Sequence, residues 1–397
     1  MILPQKGMIP RTQAQNIWQW LGKRKAIIVI GPRQVGKTTL VRQITQDLGK
    51  KSLWLTGDDP ESRSLLDNIS LARLQNLLGQ NEVVVVDEAQ RFTNAGLMLK
   101  LITDHLPQVQ LFVTGSSSLD LAAQTKESLT GRKIEFHLYP LSFVEMCNHH
   151  GYLTERSLLE HRMLYGYYPD VVQQSPPQAQ KILNDLSDGL MYKDLLSLDQ
   201  IKKPSLLVKL LQALALQVGN EVRYLQVAQT IGADPLTVER YTDLLEQSFV
   251  LFRLPSLSRN ARNEIKKGRK IYFYDNGIRN AILKNFSPLA LRNDTGALWE
   301  NFLLAERMKR NAYSDYACNA YFWRTTSQQE IDYVEDANGR LQAFEFKWQP
   351  KKQLRFPAAF LENYPDSQTA LIHNQNFDAF VGMNIVFGAS EASILQD

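Results

Sequence analysis

The sequence predicts an α/β protein whose N-terminal part contains a parallel sheet. Residues 26–48 read as an apolar strand, a glycine-containing turn and a helix, and residues 83–86 are four consecutive valines. A strand that is apolar on both faces is typical of a parallel sheet covered by helices. Near the C-terminus, alternating residues on both sides of Asn338-Gly339 predict an antiparallel hairpin. These observations predict α/β units at both ends of the chain.

Composition limits the classes of protein to consider. The chain has 397 residues, 44% hydrophobic and 22% charged, as in ordinary globular proteins, and its length predicts two or three domains. The net charge of +4 is compatible with nucleic-acid binding but does not indicate it. Cys147 and Cys318 lie far apart without metal-ligand spacing, which indicates a reducing compartment. No apolar run reaches the ~18 residues of a membrane span, and the first residues do not resemble a signal peptide, so we expect a cytoplasmic protein.

Residues 26–40 carry the first functional motif, A-I-I-V-I-G-P-R-Q-V-G-K-T-T-L. It fits the pattern G-x-x-x-x-G-K-[ST], in which glycines let backbone N–H groups point at a phosphate and a helix N-terminus adds its dipole. Lys37 would reach the β- and γ-phosphates of ATP, and the Thr38 hydroxyl would bind Mg²⁺. The residues predicted to bind the nucleotide are Gly31, Pro32, Arg33, Gln34, Val35, Gly36, Lys37, Thr38 and Thr39.

The valine strand ends in a pair of acids, Asp87 and Glu88. Beside a phosphate-binding loop, Asp87 would hold Mg²⁺ through water, and Glu88 would orient and deprotonate the attacking water. The alternative is a pair of solvated acids at a strand end, which the loop motif makes the weaker interpretation. Gln90, two residues further on, is expected to contact the same region.

Two further segments hold candidate catalytic residues. The strand at residues 110–113 is followed by T-G-S-S-S, where Thr114 and Ser116 would sense the γ-phosphate or would cap the next helix. Arg132 stands just before the predicted strand at residues 133–138. It would reach a neighbouring subunit's γ-phosphate as an arginine finger, or it is an ordinary surface arginine. From the residues alone, both pairs of interpretations stay open.

Five segments together resemble one family. They are G-P-R-Q-V-G-K-T-T-L, V-V-V-D-E-A-Q-R, V-T-G-S-S-S, L-T-G-R and L-Y-P-L-S-F-V-E, and they are similar to those of bacterial and archaeal AAA+ ATPases that carry a C-terminal domain of unknown function. The resemblance covers most of the chain. It implies a P-loop AAA+ parallel sheet with helices on both faces, and it carries an arginine finger onto Arg132. The sensor-strand position that is often Asn in better-known AAA+ proteins is a hydroxyl residue or glycine here.

The middle of the chain predicts a helical connector and then a winged-helix domain. Residues 146–203 are helical with Pro and Gln interruptions, as in a lid or connector. Apolar periodicity with Pro and Gly breaks then predicts three helices followed by two β-rich runs. These segments are residues 205–218, 225–231, 235–247, 249–254 and 270–274. Three helices and a hairpin predict a winged helix-turn-helix.

A basic loop joins the two β-rich runs. Residues 259–270 contain six Lys or Arg against one acid, which suits contacts with the phosphates of duplex DNA. The third helix would enter the major groove, yet it carries Glu239, Asp243 and Glu246 against Arg240, and an acidic helix suits a polyanion poorly. The loop is interpreted either as a phosphate-binding wing or as part of a solvated or protein-facing surface.

The C-terminal part predicts a second constellation of acids. Alternation in the hairpin places Asp332, Glu345 and Lys347 on one face. The opposite, apolar face would consist of Ile331, Tyr333, Phe344, Phe346 and Trp348. Two carboxylates and a lysine on one face would bind Mg²⁺ and steady an attacking water, or they form a salt-bridged, solvated face. The E-x-K pattern with an upstream Asp resembles the PD-(D/E)XK nuclease core, and Glu300 on the preceding helix matches that pattern's additional acid.

We therefore predict four parts: an AAA+ ATPase core (1–145), a helical connector (146–203), a winged-helix-like domain (204–290) and a restriction-endonuclease-like α/β domain (291–397). The predicted activity is Mg²⁺-dependent ATP binding and hydrolysis coupled to action on nucleic acid. The alternative is an ATP-driven switch or remodeller that binds protein partners, with a catalytically silent C-terminal domain. Because an arginine finger acts on a neighbour, we also expect a homo-oligomer.

Overall fold

A computed structural model describes residues 8–67, 69–116, 129–189, 203–258, 268–314, 316–350 and 355–383 of the chain. In this part of the chain the strands form a five-stranded, a three-stranded and a four-stranded sheet. Helices lie between and around the sheets. No helix among these residues is long and apolar enough to cross a membrane.

The N-terminal sheet is parallel throughout, with the strand order β2-β3-β4-β1-β5. Its strands are β1 (Ala26–Ile30), β2 (Ser52–Thr56), β3 (Val83–Asp87), β4 (Gln110–Gly115) and β5 (Lys133–His137). Because β4 lies between β1 and β3, the carboxyl ends of these three strands meet at one edge. The phosphate-loop motif, the acid pair and Thr114 all lie at that edge.

Apolar packing covers this sheet on both faces. The helices of this part are α1 (Thr12–Trp18), α2 (Lys37–Leu48), α3 (Pro60–Leu66), α4 (Leu71–Leu78) and α5 (Ala95–His105). In β3, Val83 and Val85 pack in one apolar cluster, and Val84 and Val86 pack in another. All four valines are fully buried, which confirms the prediction of a strand buried on both faces.

The helical middle part begins at a capping box. The Ser142 side chain accepts a hydrogen bond from the backbone of Glu145, whose carboxylate accepts one from the backbone of Ser142. The helices that follow are α6 (Phe143–His150), α7 (Tyr152–Ser157), α8 (Leu159–Tyr165) and α9 (Pro176–Gly189). The predicted connector is mostly helical up to residue 189, with an irregular stretch at 166–175, and residues 190–202 lie outside the described part.

The next module alternates helices with short strands. It consists of α10 (Pro204–Leu216), β6 (Glu221–Val222), α11 (Tyr224–Ile231), α12 (Pro235–Gln247), β7 (Leu251–Pro255) and β8 (Arg269–Phe273). Its antiparallel sheet has the order β6-β8-β7. The three predicted helices and both β-rich runs are present, whereas β6 is too short for the sequence to predict. Residues 259–267 of the basic loop lie outside the described part.

The C-terminal part consists of helices packed against a mixed sheet of order β12-β11-β10-β9. Its elements are α13 (Asn276–Ile282), α14 (Thr295–Tyr313), β9 (Asn319–Arg324), β10 (Glu330–Ala337), β11 (Arg340–Phe346), α15 (Ala358–Asn363) and β12 (Gln368–Ile372). The predicted hairpin joins β10 and β11, and Asn338 and Gly339 both have positive φ as such a turn requires.

The alternation predicted for β10 is wrong at one residue. Ile331 packs with Trp323 and Phe360 in a small cluster, whereas Tyr333 packs in the main apolar core. The register between β9 and β10 shifts between Ile331 and Val334. A β-bulge of this kind inserts an extra residue and changes the face of the side chains on one side of it. Sequence alternation alone does not reveal the insertion.

Helix α14 connects the N-terminal part with the later modules. Asn301 in its first half exchanges two hydrogen bonds with the backbone of Phe273 in β8, at 2.7 and 3.0 Å. Lys309 in its second half donates to the carbonyl oxygen of Leu141, just before α6, at 2.9 Å. One apolar core accordingly extends from β1 through the helical middle part to α14 and β11.

Candidate functional site

The phosphate-binding loop is shaped by its two glycines. A Cβ on Gly31 would lie 1.9 Å from the carbonyl oxygen of Leu138, so no larger residue fits there. Gly36 has a φ of 92° and immediately precedes Lys37, the first residue of α2. The free N–H groups at the start of α2 therefore lie at the loop, as a phosphate site requires.

The other predicted loop residues differ in burial. Pro32 and Val35 are buried, Arg33 is partly buried, and Gln34 and Thr39 are exposed. Gln34 has a left-handed φ of 59°. The backbone of these residues forms the loop that would surround a phosphate.

Lys37 is 5% exposed and folds back over the loop. Its ammonium donates hydrogen bonds to the carbonyl oxygens of Gly31 at 3.0 Å and Pro32 at 2.7 Å. These bonds hold a positive charge against the loop, where it would meet the phosphates of a nucleotide.

Arg11 supports the loop from outside the motif, and the sequence does not predict it. Its guanidinium donates to the carbonyl oxygens of Val35 and Tyr139, each at 2.6 Å, and to the carboxylate of Glu145 at 3.1 Å. By contacting both Val35 and Tyr139, Arg11 links the loop to the segment that precedes α6. Because its partners are 24, 128 and 134 residues away, no local pattern points to Arg11.

Asp87 is held by hydroxyl groups. The Thr38 hydroxyl lies 3.0 and 3.1 Å from its two carboxylate oxygens, and the Thr114 hydroxyl also donates to it. Magnesium prefers such hard oxygen donors and completes its octahedral coordination with water and substrate phosphates. Thr38 and Asp87 therefore fit the predicted Mg²⁺ role.

Glu88 is fixed through its backbone and its side chain. Its φ is 50°, and its N–H donates to the Thr114 hydroxyl at 3.1 Å. Its carboxylate accepts hydrogen bonds from the side-chain amide of Gln90 at 2.6 Å and from the Ser116 hydroxyl at 3.2 Å. Thr114 therefore contacts Asp87 directly, and Ser116 contacts Glu88.

Gly57, just after β2, lies close to the turn at Glu88. A Cβ on Gly57 would lie 2.4 Å from the Glu88 carbonyl oxygen, so a larger residue would not fit at this position.

Arg132 lies at the opposite end of the sheet from the loop. Its carbonyl oxygen accepts a hydrogen bond from Ala26, the first residue of β1, at 2.9 Å. The loop follows the other end of β1, about 15 Å away along the strand. The Arg132 side chain is 44% exposed and forms an ion pair with Asp104. In this position Arg132 does not reach the loop of its own chain.

The C-terminal acids surround a lysine that belongs to the preceding module. Lys270 in β8 is 1% exposed, and its ammonium lies 3.2 Å from Glu300, 2.5 Å from Glu330 and 3.9 Å from Asp332. The Tyr272 hydroxyl also donates to Glu300, at 2.5 Å. The prediction that Lys270 belongs to an exposed basic loop is therefore wrong, because β8 already begins at residue 269 and directs Lys270 inward.

The other predicted members of this cluster pair with a second lysine. Lys347 lies 3.0 Å from Glu345 and 3.7 Å from Asp332. Burial raises the pKa of Glu300 to about 7. Burial and the neighbouring Asp332 raise the pKa of Glu345 to about 7. The structure thus brings Glu300, Asp332, Glu345 and Lys347 into one network of buried and partly buried charges.

A divalent cation does not fit this network as it stands. The ammonium of Lys270 lies among Glu300, Glu330 and Asp332 and already supplies a positive charge to these carboxylates. Among the residues that the structure describes, no three His, Cys, Asp or Glu side chains are grouped to hold a metal ion. The resemblance to a metal-dependent nuclease core is therefore limited to the residue types and their proximity.

Two arginines of the sheet beside α12, Arg269 of the basic region and Arg253 of β7, pair with acids of that helix. Arg269 lies 3.7 Å from Glu239. Arg253 in β7 lies 2.6 Å from Asp243 and also pairs with Glu246. The acids on the predicted recognition helix are therefore partly neutralised by arginines of the adjacent sheet.

Comparison with protein families divides the chain into three matched regions. Residues 23–147 match the AAA domain family. Residues 156–289 match a domain of unknown function, DUF8612, and residues 295–390 match another, DUF4143.

Relatives with similar sequences come from bacteria and archaea. An uncharacterized protein of Mycobacterium tuberculosis is 26% identical over 342 residues, which cover 85% of this chain and 73% of that protein. An uncharacterized protein of Haemophilus influenzae is 26% identical over 357 residues, covering 83% and 84%. One from Methanocaldococcus jannaschii is 22% identical over 333 residues, covering 78% and 72%.

Similar solved structures include a Walker-type ATPase of Pyrococcus abyssi, with a TM-score of 0.48 and 14% identity over 70% of this chain and 97% of that one. The RuvB Holliday junction branch migration motor of Thermotoga maritima gives a TM-score of 0.32 and 17% identity over 65% and 95%. The family match and the parallel sheet observed here agree on the N-terminal part. The N-terminal part is thus similar to AAA domains in sequence and has the parallel α/β sheet of a P-loop ATPase fold, and the two regions after it match domains of unknown function.

Proposed function

We propose that the protein binds ATP with Mg²⁺ and hydrolyses it. The observation that supports this most directly is the contact of Thr38, at the start of α2, with Asp87, at the end of β3. That contact brings the phosphate loop to the acid pair, and Glu88 follows Asp87 in the chain. A loop for phosphates, a hydroxyl–carboxylate pair and an adjacent carboxylate are the parts that phosphoryl transfer to water requires.

Each residue has a distinct part in this reaction. The loop backbone and the N-terminus of α2 bind the phosphates, and Lys37 contacts the β- and γ-phosphates. Thr38 and Asp87 would hold Mg²⁺, which neutralises charge on the β- and γ-phosphates when it is bound. Glu88 accepts a proton from the attacking water, and Thr114 fixes the backbone of Glu88 beside Asp87.

Arg132 is proposed as an arginine finger that acts on a neighbouring subunit. Its exposed side chain at the far edge of the sheet supports this, because it is remote from the loop of its own chain. A homo-oligomer would bring that edge to the next subunit's nucleotide. Arg132→Ala would then hydrolyse ATP at least about 1,000-fold more slowly than the parent. Normal turnover by a monomeric Arg132→Ala protein would contradict both the finger and the need for an oligomer.

The target of ATP turnover is proposed as nucleic acid, and protein partners are the second candidate. The order of helices and strands from α10 to β8 supports the interpretation of a winged-helix domain. The pairing of Arg253 and Arg269 with acids on α12, and the burial of Lys270, favour a protein-facing role for the described surface. The cluster around Lys270 is proposed to be catalytically silent as a nuclease.

The decisive experiment measures phosphate release with Mg²⁺, with and without duplex DNA, and uses Lys37→Ala as the blank. Turnover above the blank is expected. Stimulation by DNA of several-fold would support action on nucleic acid, and turnover indifferent to DNA would favour protein partners. Turnover by the parent no higher than the blank would refute the proposed ATPase activity.

A further inference from the structure

The side-chain amide of Gln90 bridges the proposed catalytic base and the neighbouring strand end. Its Nε2 donates to the Glu88 carboxylate at 2.6 Å and to the Ser116 hydroxyl oxygen at 2.9 Å. The Ser116 hydroxyl donates in turn to the same Glu88 oxygen at 3.2 Å. The three side chains form a closed triangle of hydrogen bonds, so Glu88 has a defined position.

The orientation of this amide follows from chemistry. An ionised carboxylate only accepts hydrogen bonds, so the NH₂ group of Gln90 must face Glu88 and the carbonyl oxygen must face away. That oxygen, Oε1, is shielded from solvent and has no hydrogen-bond partner among the described residues. Buried acceptors are normally satisfied by protein groups or by ordered water, so Oε1 is available to accept a hydrogen bond from a water molecule at this site.

The chain places Gln90 where such a partner would be. The short 3₁₀ turn Ala89–Arg91 follows Glu88 directly and is anchored by the fully buried Ala89. The turn starts from the left-handed backbone of Glu88. It thereby directs Gln90 back towards the ends of β3 and β4, where Asp87 and Thr114 meet.

We propose that Gln90 orients the attacking water: its N–H group holds Glu88 in place, and its carbonyl oxygen accepts a hydrogen bond from the water that Glu88 deprotonates. This inference rests on the proposed ATP hydrolysis. The water oxygen forms a bond to the γ-phosphorus as the bond from that phosphorus to the β–γ bridging oxygen breaks. The water proton moves to Glu88, and ADP and phosphate leave. The amide holds two reacting groups in line and is unchanged by the reaction.

Gln90→Met tests the proposal, because methionine keeps the length of the side chain and removes both hydrogen-bonding groups. Gln75→Met is the matched control, since Gln75 is exposed on α4. We expect Gln90→Met to lower kcat about 100-fold while the Kd of a fluorescent ATP analogue stays within about twofold of the parent. Unchanged analogue binding also shows that the variant is folded.

A double variant separates an effect through Glu88 from a structural effect. Because Gln90 acts together with Glu88, adding Gln90→Met to Glu88→Gln should cause no further loss of kcat. If Gln90→Met turns over ATP within about twofold of an active parent, or if its loss of kcat is matched by an equal loss of ATP binding, this proposal is overturned and the ATPase activity stands. A parent without turnover above the Lys37→Ala blank would overturn both.

Discussion

The acidic residues of the N-terminal site and those of the C-terminal cluster are of the same types, but their hydrogen-bond and ion-pair partners differ. At the N-terminal site, Asp87 accepts hydrogen bonds from the neutral hydroxyls of Thr38 and Thr114, and Glu88 from the amide of Gln90 and the hydroxyl of Ser116. At the C-terminal site, Glu300, Asp332 and Glu345 are paired with the ammonium groups of two lysines. The first group is thus held by neutral hydrogen-bond donors, and the second by cations.

The difference shows that residue type and spacing do not define a metal site. What decides is the group that neutralises the carboxylates. Lys270 belongs to β8, in another module, and its ammonium occupies the centre of the C-terminal cluster. A buried ion pair of this kind holds two modules together, whereas hydroxyl partners leave a carboxylate free to bind an ion and a substrate.

The largest effect is expected in an activity assay, from changing Lys37, the buried lysine of the N-terminal site. Lys37→Ala should abolish ATP turnover, a loss of at least about 100-fold, because it removes the charge that meets the phosphates. Phosphate release and binding of a fluorescent ATP analogue measure the effect. Lys50→Ala is the matched control, since Lys50 is exposed and pairs only with the exposed Glu82 among described residues. ATP turnover by Lys37→Ala at the rate of Lys50→Ala would contradict the assignment of the N-terminal site to ATP hydrolysis.

Lys270→Met should instead lower stability. Removing one partner of a buried ion pair leaves uncompensated charge, so the free energy of unfolding should fall by about 3–5 kcal/mol. Denaturant unfolding of Lys270→Met against Lys209→Met, a change at an exposed lysine of α10, measures this. Adding Glu300→Gln should restore part of the loss. Equal stability of the two lysine variants would show that Lys270 does not join the modules.

The pH dependence of stability should come from the C-terminal acids. Burial raises the pKa of Glu300 and Glu345 from 4.5 to about 7, so the folded protein binds protons that the unfolded chain has released between these values. The stability that each acid contributes is full below about pH 4.5 and is lost as pH rises through 7, with a slope of up to about 1.4 kcal/mol per pH unit.

Unfolding midpoints measured from about pH 5 to about pH 8 test this sign. The parent should become less stable with rising pH, and the double variant Glu300→Gln/Glu345→Gln should show a flatter profile. A parent whose stability rises over this range with the same slope as the double variant would contradict the raised pKa values.

The smallest expected effect is on metal binding by the C-terminal cluster, where no change is expected. Without nucleotide, titration with Mn²⁺ should give the same number of bound ions for the parent and for Glu300→Gln/Asp332→Asn. Lys270 already supplies the positive charge in this cluster. One bound Mn²⁺ lost in the variant, or Mg²⁺-dependent cutting of duplex DNA that the variant lacks, would establish a metal site there.

The features that the sequence predicts correctly here depend on patterns of neighbouring residues. β1, the phosphate loop, α2 and the valine strand are local patterns, and all have the predicted form. The sequence also places Thr114 and Ser116 at a strand end, as γ-phosphate sensors or a helix cap, but it does not predict their contacts with Asp87 and Glu88. These positions could be predicted because parallel strands align their carboxyl ends at one edge of the sheet.

The features that sequence does not predict depend on distant partners. The bulge that places Ile331 on the other face of the sheet is an extra residue in the pairing of β10 with β9, and the alternation of apolar and polar residues does not reveal it. Lys270 follows a basic segment and looks exposed, but the strand pairing of β8 buries it against α14 and β10. Arg11 reaches the loop from residues that precede β1. In each case the deciding contact joins residues brought together only by the fold.

The most direct test of the account compares one acid from each group in the same assay. Phosphate release with saturating ATP and Mg²⁺ is measured for the parent, Glu88→Gln and Glu345→Gln, together with binding of a fluorescent ATP analogue. The account predicts that Glu88→Gln binds the analogue normally and loses at least about 100-fold in turnover, while Glu345→Gln turns over ATP as the parent does. Parent-like turnover by Glu88→Gln would contradict the assignment of Glu88 as the catalytic base.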